Sequence, residues 1–225
     1  MKATAKLWLS MLALGTVGAV GAVAGPSTTA QAASRNFAVA SNWTIGPLIR
    51  GRNYSRGMPL RPASRPGGGW QVELPLAPRS IHYVTFRHGS LVGKRRIVMR
   101  YRIEADPGVR IVPRTAPASP SMITLYVQRR GDDWSGRGPY EAYRWFANFA
   151  TQSPVTPGDH VLIAPFTGNW SAVQSSTVRT NPAAFRAALA DADEVGFVLG
   201  GGDGLGHGVS VTGRARLIVT SFRIE

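Results

Sequence analysis

The densest group of side chains able to bind a ligand lies in the stretch QRRGDDWSGRGPYEAYRW, residues 128–145. It combines arginines, two adjacent carboxylates and aromatic rings around a glycine-rich centre. Such groups suit a sugar, because aromatic rings stack on its C–H faces and a guanidinium binds a carboxylate through two hydrogen bonds. Trp134 is the foremost candidate, since binding residues concentrate on loops. The alternative is a hairpin whose Asp–Arg pairs only fix the loop, and the sequence leaves both interpretations open.

The neighbouring strands offer further polar side chains when alternate residues are assigned to opposite faces. The segment 97–103 carries two arginines on one face, 123–128 carries a tyrosine and a glutamine, and 141–147 carries two aromatic residues opposite an arginine. If these strands share a sheet, one face gathers these groups; a solvated face without a ligand is the alternative. The candidate ligand-binding residues are Arg100, Arg102, Tyr126, Gln128, Trp134, Tyr143, Arg144, Trp145 and His207.

The glycine-rich run GGGDGLGHGVSVTG, residues 200–213, matches no nucleotide-binding or esterase motif. No register of G-x-G-x-x-G fits, the segment that follows reads as a strand rather than a helix, and Thr212 holds the last position of G-x-S-x-G. We interpret the run as a connection between strands at 195–199 and 209–212, with glycines for unusual backbone angles or close approach. His207 makes either a structural hydrogen bond, which we favour, or a ligand contact.

Residue types that hold metals and redox cofactors are sparse in this chain. It has no cysteine, which excludes thiol catalysis, thiolate zinc sites and iron–sulfur clusters. Its four histidines form no H-E-x-x-H or H-x-H pattern. We predict no cofactor; the weak alternative is a structural calcium ion on loop carboxylates, with Asp132, Asp133 and Asp203 as candidates.

The elements that must position these side chains are short strands. Asn181 can cap one short helix predicted near 182–192, and Pro182 suits its first turn. The stretch 51–70 predicts a long irregular loop, and 33–41 predicts a loose leader. The predicted fold is all-β, an antiparallel β-sandwich of the jelly-roll kind with one short helix. Segments rich in β-branched and aromatic residues between turn signals are 80–86, 95–104, 122–130, 140–149, 160–166, 194–200, 208–213 and 216–225.

The N-terminal segment has the three parts of a secretory signal peptide. Two lysines precede an apolar run at 7–24, and Ala30-Gln31-Ala32 supplies the small residues that a signal peptidase needs. We expect cleavage after Ala32, with a cut after Ala24 or an uncleaved membrane anchor as alternatives. Removal of residues 1–32 leaves a single domain at 33–225, secreted or periplasmic, with no membrane span.

The chain is strongly basic, with a formal net charge of +14, of which Lys2 and Lys6 contribute two. Apart from Lys94, every other basic residue is an arginine. A GC-rich genome explains such an excess without a function, whereas affinity for an anionic polymer explains it functionally. Because export and the lack of a recognised motif argue against nucleic acid, the expected partner is a glycan or an anionic cell-surface polymer.

The C-terminal sequence FRAALADADEVGFVLGGGDGLGHGVSVTGRARLIVTSFRIE resembles the last half of galactose-binding-like jelly rolls. This is the β-sandwich of many carbohydrate-binding modules, in which a short helix precedes a core strand. The pieces QRRGDDWSG and GHGVSVTG are also similar to segments of exported bacterial proteins. The resemblance implies a fold and a tendency to bind glycans, and it assigns no functional residue.

Three functions are compatible with these features. The first is an exported, non-catalytic β-sandwich that binds carbohydrate, including anionic polysaccharide. The second is a polysaccharide lyase on the same scaffold, which needs a base and a group that neutralises the uronate carboxylate. His82, Tyr126, Arg100 and Arg144 are the residues of suitable type. The third is a structural envelope protein that binds anionic surfaces through its charge.

Overall fold

The computed structural model describes residues 35–76, 80–148, 151–201 and 207–225, so the predicted signal peptide lies outside the described residues. Within these ranges the chain forms short strands, one α-helix, α1 (Pro182–Ala190), and 3-10 turns at Ala40–Asn42 and Gly138–Tyr140. The strands are β1 (Trp43–Gly46), β2 (Leu48–Ile49), β3 (Arg52–Asn53), β4 (Ala63–Ser64), β5 (Trp70–Glu73), β6 (His82–Arg87), β7 (Arg96–Ala105), β8 (Ile111–Pro113), β9 (Met122–Arg129), β10 (Arg144–Ala147), β11 (Ser153–Pro154), β12 (Gly158–Pro165), β13 (Trp170–Ala172), β14 (Ala192–Gly200), β15 (Val209–Val211) and β16 (Ala215–Ile224).

Two antiparallel sheets contain most of these strands. One has the order β1-β6-β14-β9-β10-β13, with β11 paired to β9, and the other has the order β12-β7-β16-β5-β4. The ring centroids of Trp43 in the first sheet and Trp70 in the second are 5.1 Å apart, and Trp70 stacks on Phe197 of the first sheet. The inner faces of the sheets therefore share one apolar core. The predicted antiparallel all-β architecture with one short helix is confirmed, and its two sheets pack as in a β-sandwich.

Strict alternation describes β7 but fails in β16. In β7 the residues Ile97, Met99, Tyr101 and Ile103 are buried, as expected of one face. Along 216–225 the sequence pattern predicts Ile218, Thr220, Phe222 and Ile224 on one face. A bulge between Val219 and Ser221 shifts the register, so that Leu217 and Val219 join Phe222 and Ile224 in the core. The extra residue of a β-bulge reverses the facing of every later side chain.

Two segments that the sequence predicts to be irregular contribute to the fold. Residues 35–41 are attached to the sandwich rather than forming a loose leader. The backbone N–H of Phe37 donates to the carbonyl of Phe222 at 2.7 Å, and the Phe37 ring stacks on Phe86. The stretch 51–70 contains β3, β4 and the start of β5, whose Trp70 is fully buried. The predicted strand at 140–149 is shorter than expected, because residues up to Tyr143 form turns before β10 begins.

The glycine-rich run starts at the end of β14 and continues to β15. Residues 202–206, which include Asp203, lie outside the described residues. Gly208 has a φ of +93°, and a side-chain carbon there would lie 1.8 Å from the carbonyl oxygen of Ser80. This glycine therefore serves both roles expected of the run, an unusual backbone angle and a close approach.

Helix α1 begins where its cap was predicted. The Oδ1 of Asn181 accepts a hydrogen bond from the N–H of Ala184 at 3.3 Å, and Pro182 occupies the first turn. The helix ends at Ala190, two residues earlier than expected, because β14 starts at Ala192. No helix within the described residues is both long enough and apolar enough to cross a membrane.

Replacement of this cap gives a small, measurable effect. We expect Asn181→Ala to lower the free energy of unfolding by about 1 kcal/mol, since it leaves a terminal N–H without its acceptor. Urea denaturation of the two proteins measures the difference. Asn181→Ser keeps an acceptor oxygen and should retain most of the stability; equal losses in the two variants would contradict a capping role.

Candidate functional site

The outer face of the first sheet, which points away from the shared core, carries a second apolar cluster. It consists of Tyr83, Tyr126, Phe146 and Val198. Trp134 packs on this cluster from the loop that joins β9 to β10, with its ring centroid 5.3 Å from that of Tyr83. This sheet face is therefore covered by chain rather than left as a plain solvated surface. We refer to residues 130–143 as the covering loop.

A buried ion pair ties the covering loop to the sheet. The Asp132 carboxylate accepts a hydrogen bond from Nε2 of Gln128 at 2.9 Å, and its Oδ2 lies 2.9 Å from Nε of Arg144. The Nε–H does not point along the line to that oxygen, so this contact is an ion pair rather than a well-aligned hydrogen bond. The Arg144 guanidinium also donates to the carbonyl of Trp134 and lies 4.9 Å above its ring. The Asp–Arg contact thus fixes the loop, as one of the two interpretations proposes.

Burial shifts the titration of the groups beneath this loop. It raises the pKa of Asp132, although the positive charge of Arg144 and the hydrogen bond from the Trp134 N–H act in the opposite direction. It also raises the pKa of Tyr126 well above its usual value, so this hydroxyl stays protonated and donates to Oε1 of Gln128 at 2.9 Å. Tyr126 is fully buried and therefore is not placed to touch a ligand.

An open pocket of about 410 Å³ lies beside the covering loop. Trp134 and Asp133 line it from the loop, and Arg50, Arg52 and Tyr54 line it from the hairpin of β2 and β3. The guanidinium of Arg52 lies 5.1 Å from the Tyr54 ring centroid. Within the described part of the chain, neither arginine forms an ion pair. Two aromatic rings, two guanidiniums and a carboxylate thus meet in one shallow depression, which we call the Trp134 pocket.

A second pocket of about 410 Å³ lies on the other side of β2. The two pockets share β2 as a wall: Leu48 lines this pocket, and the next residue, Ile49, lines the Trp134 pocket. Its polar groups include Glu194, whose Oε2 accepts a hydrogen bond from the Thr85 hydroxyl at 2.8 Å. Burial raises the pKa of Glu194, and the hydrogen bond from Thr85 and the nearby charge of Arg87 partly offset this effect. The carboxyl and hydroxyl groups, with arginines beside them, are able to pair with hydroxylated ligands.

The predicted polar surface is not one surface, because its strands lie in different sheets. Arg100 and Arg102 belong to β7 in the second sheet, whereas Tyr126, Gln128 and Arg144 belong to the first. Arg102 forms a bidentate pair with Asp159 across strands, with distances of 2.7 and 2.6 Å. Arg100 and Arg102 therefore lie away from the Trp134 pocket and do not complete it.

The other predicted residues, on β9, on β10 and in the covering loop, mostly have structural surroundings. Trp145 is fully buried in the shared core and packs on Phe185 of α1, so it is not exposed to touch a ligand. Gln128 and Arg144 are buried in the network beneath the covering loop. The Tyr143 ring lies 4.9 Å from the guanidinium of Arg129, outside the Trp134 pocket. Of this group, Trp134 alone lines that pocket.

His207 lies beside an arginine side chain. Its Nδ1 lies 3.4 Å from the guanidinium of Arg114. Two of the carboxylates considered for calcium have different protein partners. Asp132 pairs with Arg144, and Asp133 accepts a hydrogen bond from the Ser135 N–H at 2.8 Å. Among the described residues, no group of three or more His, Asp or Glu side chains is arranged to hold a metal ion.

The residues considered for lyase chemistry do not converge. His82 is completely buried, with Nδ1 2.7 Å from the Ser55 hydroxyl and Nε2 3.2 Å from the carbonyl oxygen of Val209. Tyr126 is also buried, and Arg100 lies on the other sheet. Neither possible base, His82 or Tyr126, is therefore exposed beside Arg144 to take a proton from a bound sugar.

Sequence reasoning missed most of the Trp134 pocket. Arg50, Arg52 and Tyr54 lie in or next to the stretch that was predicted to be an irregular loop. The alternation of arginine and aromatic residues in GRNYSRG resembles that of the covering loop and was the available indication. Comparison with known proteins adds no assignment, because no protein-family model matches the chain and no curated protein matches its sequence.

Proposed function

We propose that this protein is an exported, non-catalytic β-sandwich that binds carbohydrate at the Trp134 pocket, with anionic polysaccharides as the preferred class. The observation that carries the proposal is the meeting of the Tyr54 and Trp134 rings with Arg50 and Arg52 in one open depression. Rings of this kind cover the C–H faces of a sugar, while guanidiniums bind its carboxylate or sulfate groups. Export rests on the signal-peptide pattern of residues 1–32.

The charge around the pocket supports an anionic ligand. Arg50 and Arg52 outnumber the single lining carboxylate, Asp133, and neither arginine is paired with an acid within the described residues. On the second sheet, by contrast, Arg102 is paired with Asp159 at 2.6 Å, and its charge is already compensated. The net charge, which is +14 less the two lysines removed with the signal peptide, adds a long-range attraction for polyanions and orients a ligand without selecting it.

A glycan array followed by titration tests this assignment. We expect binding to polysaccharides that carry uronate or sulfate groups. Tyr54→Ala and Arg52→Ala should each weaken it about tenfold, because each removes a contact of roughly 1–2 kcal/mol. Both side chains are exposed, so the variants should keep their fold, which circular dichroism checks. Trp134→Ala is less suitable, since its ring also packs on Tyr83.

Arg100→Ala is the matched control, because it removes the same charge from an exposed position on the other sheet. It should change affinity less than twofold at physiological salt. Equal weakening by Arg52→Ala and Arg100→Ala, with no effect of Tyr54→Ala, would favour the third function, a protein that binds any anionic surface through its net charge. An array on which no glycan is retained would contradict the proposal.

A further inference from the structure

A separate pocket of about 430 Å³ lies where β13 forms the edge of the first sheet. Its lining combines the apolar side chains of Trp170 and Val178 with polar ones. The polar residues that matter here are Asn148, Thr167, Asn169, Ser171, Thr177 and Arg179. We propose that this edge pocket is a second binding site, for a small hydroxylated anion of the hexuronate class. It shares no lining residue with the Trp134 pocket, and the proposal does not rest on the function assigned to that pocket.

Asn148 is the first reason. Its side chain lies at the end of β10 and is only 7% exposed. The Nδ2 of its amide donates to the hydroxyl of Ser171, and its Oδ1 has no hydrogen-bond partner within the described residues. A buried polar atom left without a partner is unfavourable, so a ligand that supplies one is favoured. A sugar hydroxyl is a suitable partner, because it is able to donate a hydrogen bond to Oδ1.

The charge of the lining is the second reason. Arg179 is the charged side chain among the lining residues that the structure describes, and none of them is a carboxylate. Arg179 is exposed and forms no ion pair in the described part of the chain. A ligand with one carboxylate and several hydroxyls therefore matches one guanidinium beside amides and hydroxyls. A hexuronate has this composition, whereas a neutral hexose lacks the group that would pair with Arg179.

Segment 176–180 gives the pocket a fixed wall. The N–H of Val178 donates to the carbonyl of Trp170 at 3.0 Å, and that of Ala172 donates to the carbonyl of Ser176 at 2.7 Å. Thr177 and Thr180 are joined to each other through their hydroxyls. These contacts hold the segment along β13, so the pocket exists before a ligand arrives and binding does not require the chain to be ordered first.

Titration with glucuronate and with glucose, followed by NMR, tests the site. We expect saturable shifts of the Asn148 and Asn169 side-chain amides with glucuronate at millimolar concentration, and at least fivefold weaker binding of glucose. Arg179→Ala should reduce glucuronate affinity to that of glucose and leave glucose affinity unchanged. Arg186→Ala, which removes an exposed arginine of α1 outside the pocket, should leave the preference intact.

Asn148→Asp provides an independent variant, because the new carboxylate would repel glucuronate and not glucose. If that protein does not fold, Arg179→Ala alone decides, since its side chain is exposed. The proposal is overturned by the absence of saturable shifts at both amides, or by a glucuronate preference that survives Arg179→Ala. The Trp134 pocket is assessed separately, because Arg52→Ala should leave the shifts of Asn148 and Asn169 unchanged.

Discussion

Arg144→Ala should lower the free energy of unfolding by about 3–5 kcal/mol, because it leaves the Asp132 carboxylate buried without its counter-charge. The Asp132 side chain is inaccessible to solvent, and that of Arg144 is nearly so. The substitution also removes the hydrogen bond to the Trp134 carbonyl and the cation–π contact with its ring. Chemical denaturation at neutral pH measures the loss.

The loss should depend on pH in a defined direction. Burial already raises the pKa of Asp132, and removal of Arg144 takes away the positive charge that opposes this shift. The folded variant then binds a proton more readily than the unfolded chain, so its stability falls as pH rises through the range above the unfolded pKa. The deficit relative to the unmodified protein should therefore be larger at about pH 8 than at about pH 5. A deficit that is equal at both pH values would contradict a buried, ionised Asp132.

Two further variants separate the ion pair from general disruption. Adding Asp132→Asn to Arg144→Ala removes the unpaired charge and should recover part of the loss at about pH 8. Arg130→Ala breaks an exposed pair, with Asp191 at 3.3 Å, and should cost less than about 1 kcal/mol. A double variant no more stable than Arg144→Ala would mean that lost packing, rather than an unpaired charge, causes the effect.

Local patterns predicted the elements of this fold well, because those elements depend on local chemistry. The buried face of β7 follows from alternation, and α1 begins at the asparagine and proline that favour a helix start. The bulge at Thr220 was not predictable in this way, since neither neighbouring strand is visible from the sequence of β16. One added residue there reversed the facing of Phe222 and Ile224, which lie in the core.

The candidate site was harder to predict, because it depends on which strands are neighbours. From the sequence pattern alone, Arg100 and Tyr126 are equally suited to one polar face, yet their strands β7 and β9 lie in different sheets. Trp134 was identified because its loop is rich in charge and glycine. Its partner Tyr54 comes from a hairpin 80 residues earlier that packs beside the loop only in the folded chain. Composition thus indicates the type of site, whereas topology selects its members.

His82 shows how a residue of catalytic type can serve the fold instead. A carbonyl oxygen can only accept, so Nε2 carries the proton that is donated to Val209, and Nδ1 accepts from the Ser55 hydroxyl. The imidazole is therefore neutral and joins the segment after β3 to β6 and β15. Burial lowers its pKa to about 4, and the nearby charge of Arg114 acts in the same direction.

This environment predicts acid sensitivity with a definite sign. The pKa of histidine is near 6.5 in the unfolded chain and about 4 for His82 in the folded protein. Between these pH values the unfolded chain therefore binds a proton at His82 that the folded protein does not bind. Stability should fall across this window by about 3 kcal/mol, given about 1.4 kcal/mol for each unit of pKa difference. His82→Gln cannot titrate and should lose this part of the slope, while the carboxylates common to both proteins cancel in the comparison. Parallel stability curves for the two proteins between about pH 7 and pH 4 would show that His82 is not buried in its neutral form.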